Sequence, residues 1–245
     1  MLRLDYMPER TRSVFESLAK EPLMQGFVLI GGTALSIQAG HRLSEDLDFW
    51  YPSSAMSKER VDAILFNLGN AGFSHQFTTP AWQLTQARIN GIDLLSQSRD
   101  HTIDGVKVTF FARLDIPYRH FSVMKRVEDQ ASFGIANIDT LFAMKSWLIS
   151  RRIMSRDLFD LMVLLQRGKT MQELLDAGAD ADPSFQREYA KEVLAGNVPL
   201  DADDEGFESI SLDASIDDVR RYLLAAVNEY EVSLARAIGH IGINP

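Results

Sequence analysis

The chain combines apolar stripes at helical spacing with short apolar runs that end in glycine. In one segment apolar residues recur at i, i+3, i+4 and i+7, and these are Val61, Ile64, Leu65 and Leu68. Such a stripe predicts a helix that packs one face against a core, and Ser57 is placed to cap it. By contrast, residues 27–30 are apolar and lead into two glycines. This run predicts a buried strand that ends in a tight turn.

The segment 82–111 is predicted to be β structure. Asn90-Gly91 is typical of a two-residue hairpin turn and would join two strands of this segment. Asp104-Gly105 then precedes a further strand at 106–111. The first half of the chain is therefore expected to form a sheet with flanking helices.

From about residue 121 onward the apolar spacing is helical. Ser155 is placed to cap a helix with four apolar residues on one face, and further helices are predicted at 138–150 and 219–238. Two segments rich in Asp, Ala, Gly and Ser, 176–184 and 197–217, are predicted to be loops.

These patterns predict an α/β (α+β) fold with two domains. Residues 1–120 would form a domain built on a mixed sheet, and residues 121–245 would form a helical domain. A chain of 245 residues is long enough to bury the cores that such domains need.

Composition excludes several classes of site. The chain has no cysteine, so disulfides, thiolate metal sites and cysteine nucleophiles are absent. The charged N-terminal segment does not resemble a secretory signal, and no apolar run approaches the length of about 18–20 residues that spans a bilayer. The expected location is therefore the cytoplasm, without a membrane partner.

The charge is unevenly distributed along the chain, although the total of −9 argues against a nucleic-acid partner. Residues 113–170 contain 10 basic and 6 acidic residues, whereas residues 171–245 contain 5 basic and 16 acidic ones. The basic segment could receive phosphates, or it could be a solvated helix face.

Gly31, Gly32 and Thr33 are candidate nucleotide-binding residues. Glycines at the end of a strand let the backbone approach phosphate oxygens closely, and a helix that begins directly after them points its amide groups at the same place. The sequence matches neither the GxxxxGK[ST] phosphate loop nor GxGxxG.

Asp46 and Asp48 are candidate metal ligands and catalytic residues. On a strand they share one face, about 6–7 Å apart at the backbone, while Leu47 and Phe49 point the other way. Two carboxylates placed this way repel each other unless a cation neutralises them, and Mg²⁺ (or Mn²⁺) suits one or two carboxylates together with substrate phosphates. A Gly-Gly turn or an Asp-x-Asp pair alone is a weak signal, but here they occur in order, and Asp46 is the thirteenth residue after Thr33.

The stretches 30–35 (IGGTAL) and 41–49 (HRLSEDLDF) resemble the signature of the AbiEii/AbiGii toxin family of bacterial nucleotidyltransferases. That family belongs to the DNA polymerase beta-like superfamily. Downstream, Lys145 in a helix and the stretch 156–161 (RDLFDL) are similar to the later motifs of the family. The resemblance extends from about residue 27 to about residue 165.

The resemblance implies that residues 1–120 are the nucleotidyltransferase catalytic domain and that the helical domain 121–245 completes the active-site cleft. Lys145 and Asp157 would then be catalytic and would face Asp46 and Asp48 across that cleft. Lys145 would neutralise triphosphate charge in the transition state; without the resemblance it would be a surface lysine. Asp157 lies in the first turn of its helix, where the dipole favours a carboxylate in any case. Asp160 is expected to have a scaffolding role, and Arg152 is a candidate phosphate contact.

One departure from the superfamily concerns a third carboxylate that many members carry on a later strand. The matching position in 106–111 is Thr109, which is not acidic. Asp93 is the nearest alternative. Without a third carboxylate, a single Mg²⁺ would have to suffice, or the enzyme would be weakened.

The predicted function is metal-dependent transfer of a nucleoside monophosphate from an NTP to an acceptor hydroxyl. The resemblance implies an RNA acceptor such as tRNA, a toxin of a toxin–antitoxin pair, and a cognate antitoxin protein. Three alternatives stay open: transfer to a small molecule such as an antibiotic, nucleotide binding without catalysis, and a kinase-like phosphotransfer at the same metal site.

Overall fold

The computed structural model describes residues 2–127, 131–207, 212 and 214–241, the side chains of 238–241 excepted. The chain divides into two compact units between Leu141 and Phe142. The first unit contains a mixed sheet with helices, and the second is helical in its described part, so the predicted α/β class is confirmed. The functional boundary placed at residues 120 and 121 stays a prediction.

Seven strands of the described chain form one sheet in the order β3-β4-β5-β2-β1-β7-β6. They are β1 Val28–Ile30, β2 Leu47–Tyr51, β3 His75–Phe77, β4 Ser98–Ile103, β5 Val106–Ala112, β6 Arg126–Val127 and β7 Gly134–Ala136. The central strand β2 pairs antiparallel with β1 and parallel with β5.

The helices of the first unit alternate with these strands. They are α1 Glu9–Lys20, α2 Gly31–Ala39, α3 Lys58–Asn70, α4 Ala81–Ile89, α5 Leu94–Gln97 and α6 Ile116–Ser122. The stripe predicted for α3 is buried, and the Ser57 hydroxyl accepts a hydrogen bond from the Arg60 amide, as a cap should. Short 3-10 turns occupy Leu4–Tyr6 and Pro22–Met24.

Helix α7, Ile138–Leu148, crosses the division between the units. The helices that follow are α8 Ser155–Gln166, α9 Met171–Ala181, α10 Arg187–Leu194 and α11 Ile216–Ile241. In the described part of the chain, no helix combines the length and the apolar character that crossing a membrane requires.

One face of the central strands carries the core of the sheet. Leu47 and Phe49 of β2 are fully buried, and the ring of Phe49 stacks on that of Phe110 from β5 at 5.7 Å between centroids. Residues 48 and 109 alternate with these positions and are only partly buried. The alternation predicted for β2 is therefore confirmed, and it leaves the opposite face available to polar groups.

The predicted hairpin at Asn90-Gly91 is wrong. Gly91 has a φ of +68° and follows the C-terminal end of α4. A left-handed glycine serves a helix end as well as a hairpin, and residues 81–89 are rich in the helix formers Ala, Leu, Gln and Arg. The hairpin lies instead at Asp104-Gly105, where both residues have positive φ and join β4 to β5.

The second half of the sequence differs from its prediction in three places. Strands β6 and β7 lie in a region predicted to be helical, and they extend the sheet beyond β1. Helix α9 covers much of the segment 176–184, predicted as a loop, because Thr170 and Glu173 form a capping box that starts it. Ser155 is the first residue of α8 rather than its cap, and its amide donates to Asp204.

His101 on β4 is a buried histidine whose ring packs near the rings of Phe77 and Phe110. Neither ring nitrogen has a hydrogen-bond partner among the described residues. Burial, together with the positive charge of Arg99, lowers the pKa of His101 to about 4 from an ordinary value of 6.5. Between pH 6.5 and about 4, the His101 ring is therefore neutral in the folded protein, whereas it binds a proton in the unfolded chain.

We expect His101 to make the protein sensitive to acid. As pH falls from 6.5 towards 4, the unfolded state binds the proton first, so the free energy of unfolding decreases by up to about 3 kcal/mol. His101→Phe should reduce this loss, as measured by urea unfolding at pH 7.5 and pH 5. The control His75→Gln removes an exposed histidine and should behave as wild type; an equal acid loss in His101→Phe would contradict the assignment.

Candidate functional site

The turn between β1 and α2 brings a carboxylate against the backbone. Gly31 has a φ of +75°, and a Cβ built there would lie 2.7 Å from Oδ2 of Asp48. The pairing of β1 with β2 causes this contact, because Ile30 lies opposite Asp48. Only glycine satisfies both the left-handed backbone and the close approach. The predicted Gly-Gly turn and the predicted Asp-x-Asp pair are thus brought together.

Gly32 has a cationic neighbour that the sequence analysis missed. A Cβ at Gly32 would lie 2.6 Å from Nη2 of Arg42 and 3.1 Å from the Ser44 hydroxyl. Arg42 is only 6% exposed, and its Nη1 donates to the Leu43 carbonyl at 3.0 Å. A guanidinium therefore lies at the start of α2. The one signal in the sequence was an arginine placed between the Gly-Gly turn and the acidic strand.

Thr33 joins α2 to the segment that precedes β2. Its buried hydroxyl lies 2.8 Å from the Ser44 hydroxyl and within hydrogen-bond distance of the Asp46 carbonyl. These contacts orient the chain that leads into β2. The predicted nucleotide contact of Thr33 stays a prediction.

Asp46 and Asp48 lie at the start of β2 and are both partly buried. Asp46 immediately precedes the strand, and Asp48 is its second residue. In the described part of the chain, His, Asp and Glu residues form no group of three or more arranged to hold a metal ion. Any ion at this position would need further oxygen ligands from its substrate or from neutral side chains.

A row of polar side chains extends from Asp48 across two further strands. Asp48 pairs with Thr109 on β5, and Thr109 pairs with Asp100 on β4. The Thr109 hydroxyl donates to Oδ1 of Asp100 at 3.0 Å. Asp100 was not selected from the sequence, because nothing in its local pattern indicates which strand lies next to β5.

Asp93, the alternative third carboxylate, lies at the start of α5. Its side chain is 57% exposed and pairs with Lys58 at 2.7 Å. The structure thus gives Asp93 an exposed ion pair, whereas Asp100 lies in the row that contains Asp48.

The second unit contains a buried cluster of charges formed by α7 and α8. Nζ of Lys145 lies 2.6 Å from Asp157 and 2.8 Å from Asp160, and these side chains are at most 6% exposed. Arg152 contacts the other oxygen of Asp157 at 2.9 Å. Burial alone would raise the pKa of Asp157, but the charges of Lys145 and Arg152 hold it below its ordinary value.

This cluster changes the picture of several residues selected from the sequence. Lys145 is not a surface lysine, and Asp157 has a partner suited to orienting it. Asp160, which is fully buried, also contacts Lys145, in keeping with the predicted scaffolding role. Arg152 engages Asp157, and Arg151 engages Asp182 at 2.6 Å.

A cavity of about 510 Å³ lies at the end of β5 in the first unit. Its lining includes Phe111, two residues beyond Thr109 on the same strand, together with Ser54, Gln97 and Arg113. Its volume is within the range of about 300–1,000 Å³ typical of small-molecule sites.

The chain is similar to several known proteins. A protein of Aquifex aeolicus (strain VF5), described as uncharacterized protein aq_aa25, is 27% identical over 175 residues, which cover 69% of this chain and 72% of that protein. JHP933 from Helicobacter pylori has a similar fold, with a TM-score of 0.51, 16% identity, and coverage of 96% of this chain and 98% of that one.

MenT4, a nucleotidyltransferase toxin from Mycobacterium tuberculosis H37Rv, is also similar in fold. Its TM-score is 0.51 at 14% identity, and the match covers 90% of this chain and 84% of that one. The model of the AbiEii family, described as nucleotidyl transferase AbiEii toxin of a type IV toxin–antitoxin system, matches residues 12–227. The chain therefore belongs to the AbiEii nucleotidyl transferase toxin family, and it is a nucleotidyltransferase.

Proposed function

We propose that the protein transfers a nucleoside monophosphate from an NTP to a hydroxyl group of RNA, using a divalent metal ion. The observation that carries this proposal is the contact of the Asp48 carboxylate with Gly31 at the first residue of α2. A carboxylate that can hold a cation thereby lies beside helix amides that can hold an anion. A metal–triphosphate complex contains both charges.

The residues present fit Mg²⁺ or Mn²⁺. Asp46 and Asp48 supply hard oxygen ligands, and the missing side chain of Gly31 leaves the space that the Asp48 carboxylate occupies. Two carboxylates with substrate phosphates are a usual set for Mg²⁺. When bound, the ion would stabilise negative charge on the transferring phosphoryl group.

The phosphates would lie against the start of α2. Gly31 and Gly32 expose backbone there, and the positive end of the helix dipole favours an anion. Arg42 adds a full positive charge beside Gly32. The first unit thus contains a cation for the triphosphate, in addition to the proposed contribution of Lys145.

In the reaction, the oxygen of an acceptor hydroxyl attacks the α-phosphorus of the NTP. The new P–O bond forms as the bond to pyrophosphate breaks, and the acceptor proton is released to a base or to water. Lys145 is proposed to neutralise charge on the departing pyrophosphate, and Asp157 to hold the Lys145 ammonium in place. Kinase-like phosphotransfer would instead release a nucleoside diphosphate.

RNA is the proposed acceptor because the family consists of toxins and residues 113–170 carry a net charge of +4. A cognate antitoxin is proposed as partner, and the cytoplasm is proposed as the location, because NTP and RNA are found there. The cavity at the end of β5 favours a small-molecule acceptor as the second candidate. The antitoxin is tested by expressing the protein with and without the neighbouring gene. Growth inhibition that the neighbouring gene relieves would support it.

The function is tested by incubating the protein with each labelled NTP, Mg²⁺ and total cellular RNA. We expect label in RNA with release of pyrophosphate, and none in RNA whose terminal hydroxyls have been oxidised by periodate.

Asp46→Ala or Asp48→Ala should abolish transfer and keep the fold, because each removes a metal ligand. Glu45→Ala, an exposed neighbour, is the matched control. Full transfer by Asp48→Ala would disprove the metal site, and unlabelled RNA would favour the small-molecule acceptor.

Gly31→Ala separates the site contact from simple backbone strain. The substitution forces a side chain into the left-handed region, at about 1–2 kcal/mol, and displaces the Asp48 carboxylate. Gly72→Ala imposes the same kind of strain at a φ of +95°, where a Cβ meets nothing within 4 Å. Gly31→Ala should lose at least as much stability as Gly72→Ala, because it adds a clash to the strain, but only Gly31→Ala should lose transfer activity. If Gly31→Ala and Gly72→Ala both kept wild-type transfer activity, the contact of Gly31 with Asp48 would not be needed for transfer.

The Lys145 cluster requires a test that separates charge from stability. Lys145→Ala alone removes the ammonium that Asp157 and Asp160 share, although Asp157 keeps Arg152, and should cost about 3–5 kcal/mol of unfolding free energy. The triple variant Lys145→Met, Asp157→Asn, Asp160→Asn removes all three charges and should fold. Its turnover should be lower by about 10²–10³ if Lys145 and Asp157 act in the reaction. A folded triple variant with wild-type turnover would leave the cluster a structural role only.

A further inference from the structure

The row Asp48–Thr109–Asp100 contains a hydroxyl between two carboxylates. The strand register places all three residues side by side across β2, β5 and β4. Neighbouring strands lie about 4.8 Å apart, so Asp48 and Thr109 are close enough to contact one small ion. Asp100 is one strand further and reaches the same place only through Thr109.

The proton of Thr109 is committed to Asp100. A threonine hydroxyl has one hydrogen to donate, and an ionised carboxylate can only accept. Since the Thr109 hydroxyl donates to Oδ1 of Asp100, it has only lone pairs to offer elsewhere. The oxygen that Thr109 presents beside Asp48 is therefore an acceptor or a ligand, never a donor to the Asp48 carboxylate.

Asp100 is also bonded to the segment that follows β3. Oδ2 of Asp100 accepts a hydrogen bond from the Thr79 hydroxyl at 3.4 Å. The backbone of Asp100 is fixed by the same segment, since the Asp100 amide donates to the Thr79 hydroxyl and the Asp100 carbonyl accepts from the Thr78 amide, each at 2.9 Å. The neighbouring Arg99 directs its guanidinium to Asp62 instead. In the described part of the chain, no lysine or arginine forms an ion pair with Asp100, so its charge acts on Thr109.

We propose that Thr109 is a neutral oxygen ligand of the divalent cation held by Asp48, and that Asp100 is the positioning residue that accepts the Thr109 proton and so leaves the oxygen lone pairs for the ion. This inference rests on the proposed metal site and names its third oxygen. It explains how the site works with a threonine at the position where a carboxylate was expected. The charge of Asp100 polarises the hydroxyl and makes its oxygen a better ligand.

A single cysteine substitution tests whether residue 109 binds the metal directly, because the wild-type chain has no cysteine. Thr109→Cys places a single soft ligand beside Asp48, and thiolates bind soft metals strongly. We expect Cd²⁺ to bind this variant more tightly than wild type, with an ultraviolet thiolate-to-cadmium band. Thr102→Cys is the matched control. Thr102 lies on β4 and is partly buried, as Thr109 is, but it pairs with Lys107 rather than with a carboxylate. It should give no band.

Calorimetry with Mn²⁺ tests the native ligand and its positioning residue. Thr109→Val keeps the shape but removes the oxygen, and Asp100→Asn keeps the shape but removes the charge. Thr109→Val should weaken Mn²⁺ binding because it removes the proposed ligand, and Asp100→Asn should weaken it by about 10–100-fold, the usual effect of losing an outer partner of a metal ligand. Both metal-free variants should remain folded.

The outcomes distinguish this inference from the proposed function. If wild type binds Mn²⁺, Asp48→Ala does not, and both Thr109→Val and Asp100→Asn bind as wild type, the metal site stands and the inference is wrong. Absence of a cadmium band in a folded Thr109→Cys variant would also overturn it. If wild type binds no Mn²⁺, the proposed metal site and this inference fail together.

Discussion

The contact of the Asp48 carboxylate with the backbone of Gly31 is the constraint on which the rest of the site depends. It results from the antiparallel pairing of β1 with β2, which places Ile30 opposite Asp48 and the next residue against the carboxylate. A side chain at Gly31 would displace the carboxylate, and a shift in register would move Asp48 to the other face of the sheet. The position of the Asp48 carboxylate therefore depends on both the glycine at position 31 and the register of β1 with β2.

The two units handle buried charge in different ways. In the first unit, the Asp48 carboxylate and the Arg42 guanidinium each lie against a glycine at the start of α2. In the second unit, Lys145 lies between Asp157 and Asp160, and Arg152 also contacts Asp157, so two cations face two carboxylates. A buried ion pair of this kind contributes little net stability, but breaking it is costly. Effects of variants in this cluster therefore combine stability and chemistry.

The family explains why a chain with net charge −9 can act on nucleotides. The chain has fewer basic residues (25) than acidic ones (34). One of the basic residues, Arg42, lies beside Gly32 at the start of α2. Local placement decides the electrostatic potential that a triphosphate encounters, because charges beyond a distance of about 10 Å are largely screened by salt. Total charge is a weak guide to such a site.

The sequence by itself determined the local elements of the site: a buried strand before Gly31, a helix after it, and alternation that exposes Asp48 while burying Phe49. These follow from periodicity and glycine geometry, which act over a few residues. Only the tertiary structure decided that Asn90-Gly91 ends a helix, that Asp100 joins the row of Asp48, and that Lys145 is buried with two aspartates. Strand order and helix packing arise from contacts between distant residues, and no local pattern encodes which strand becomes the neighbour of another.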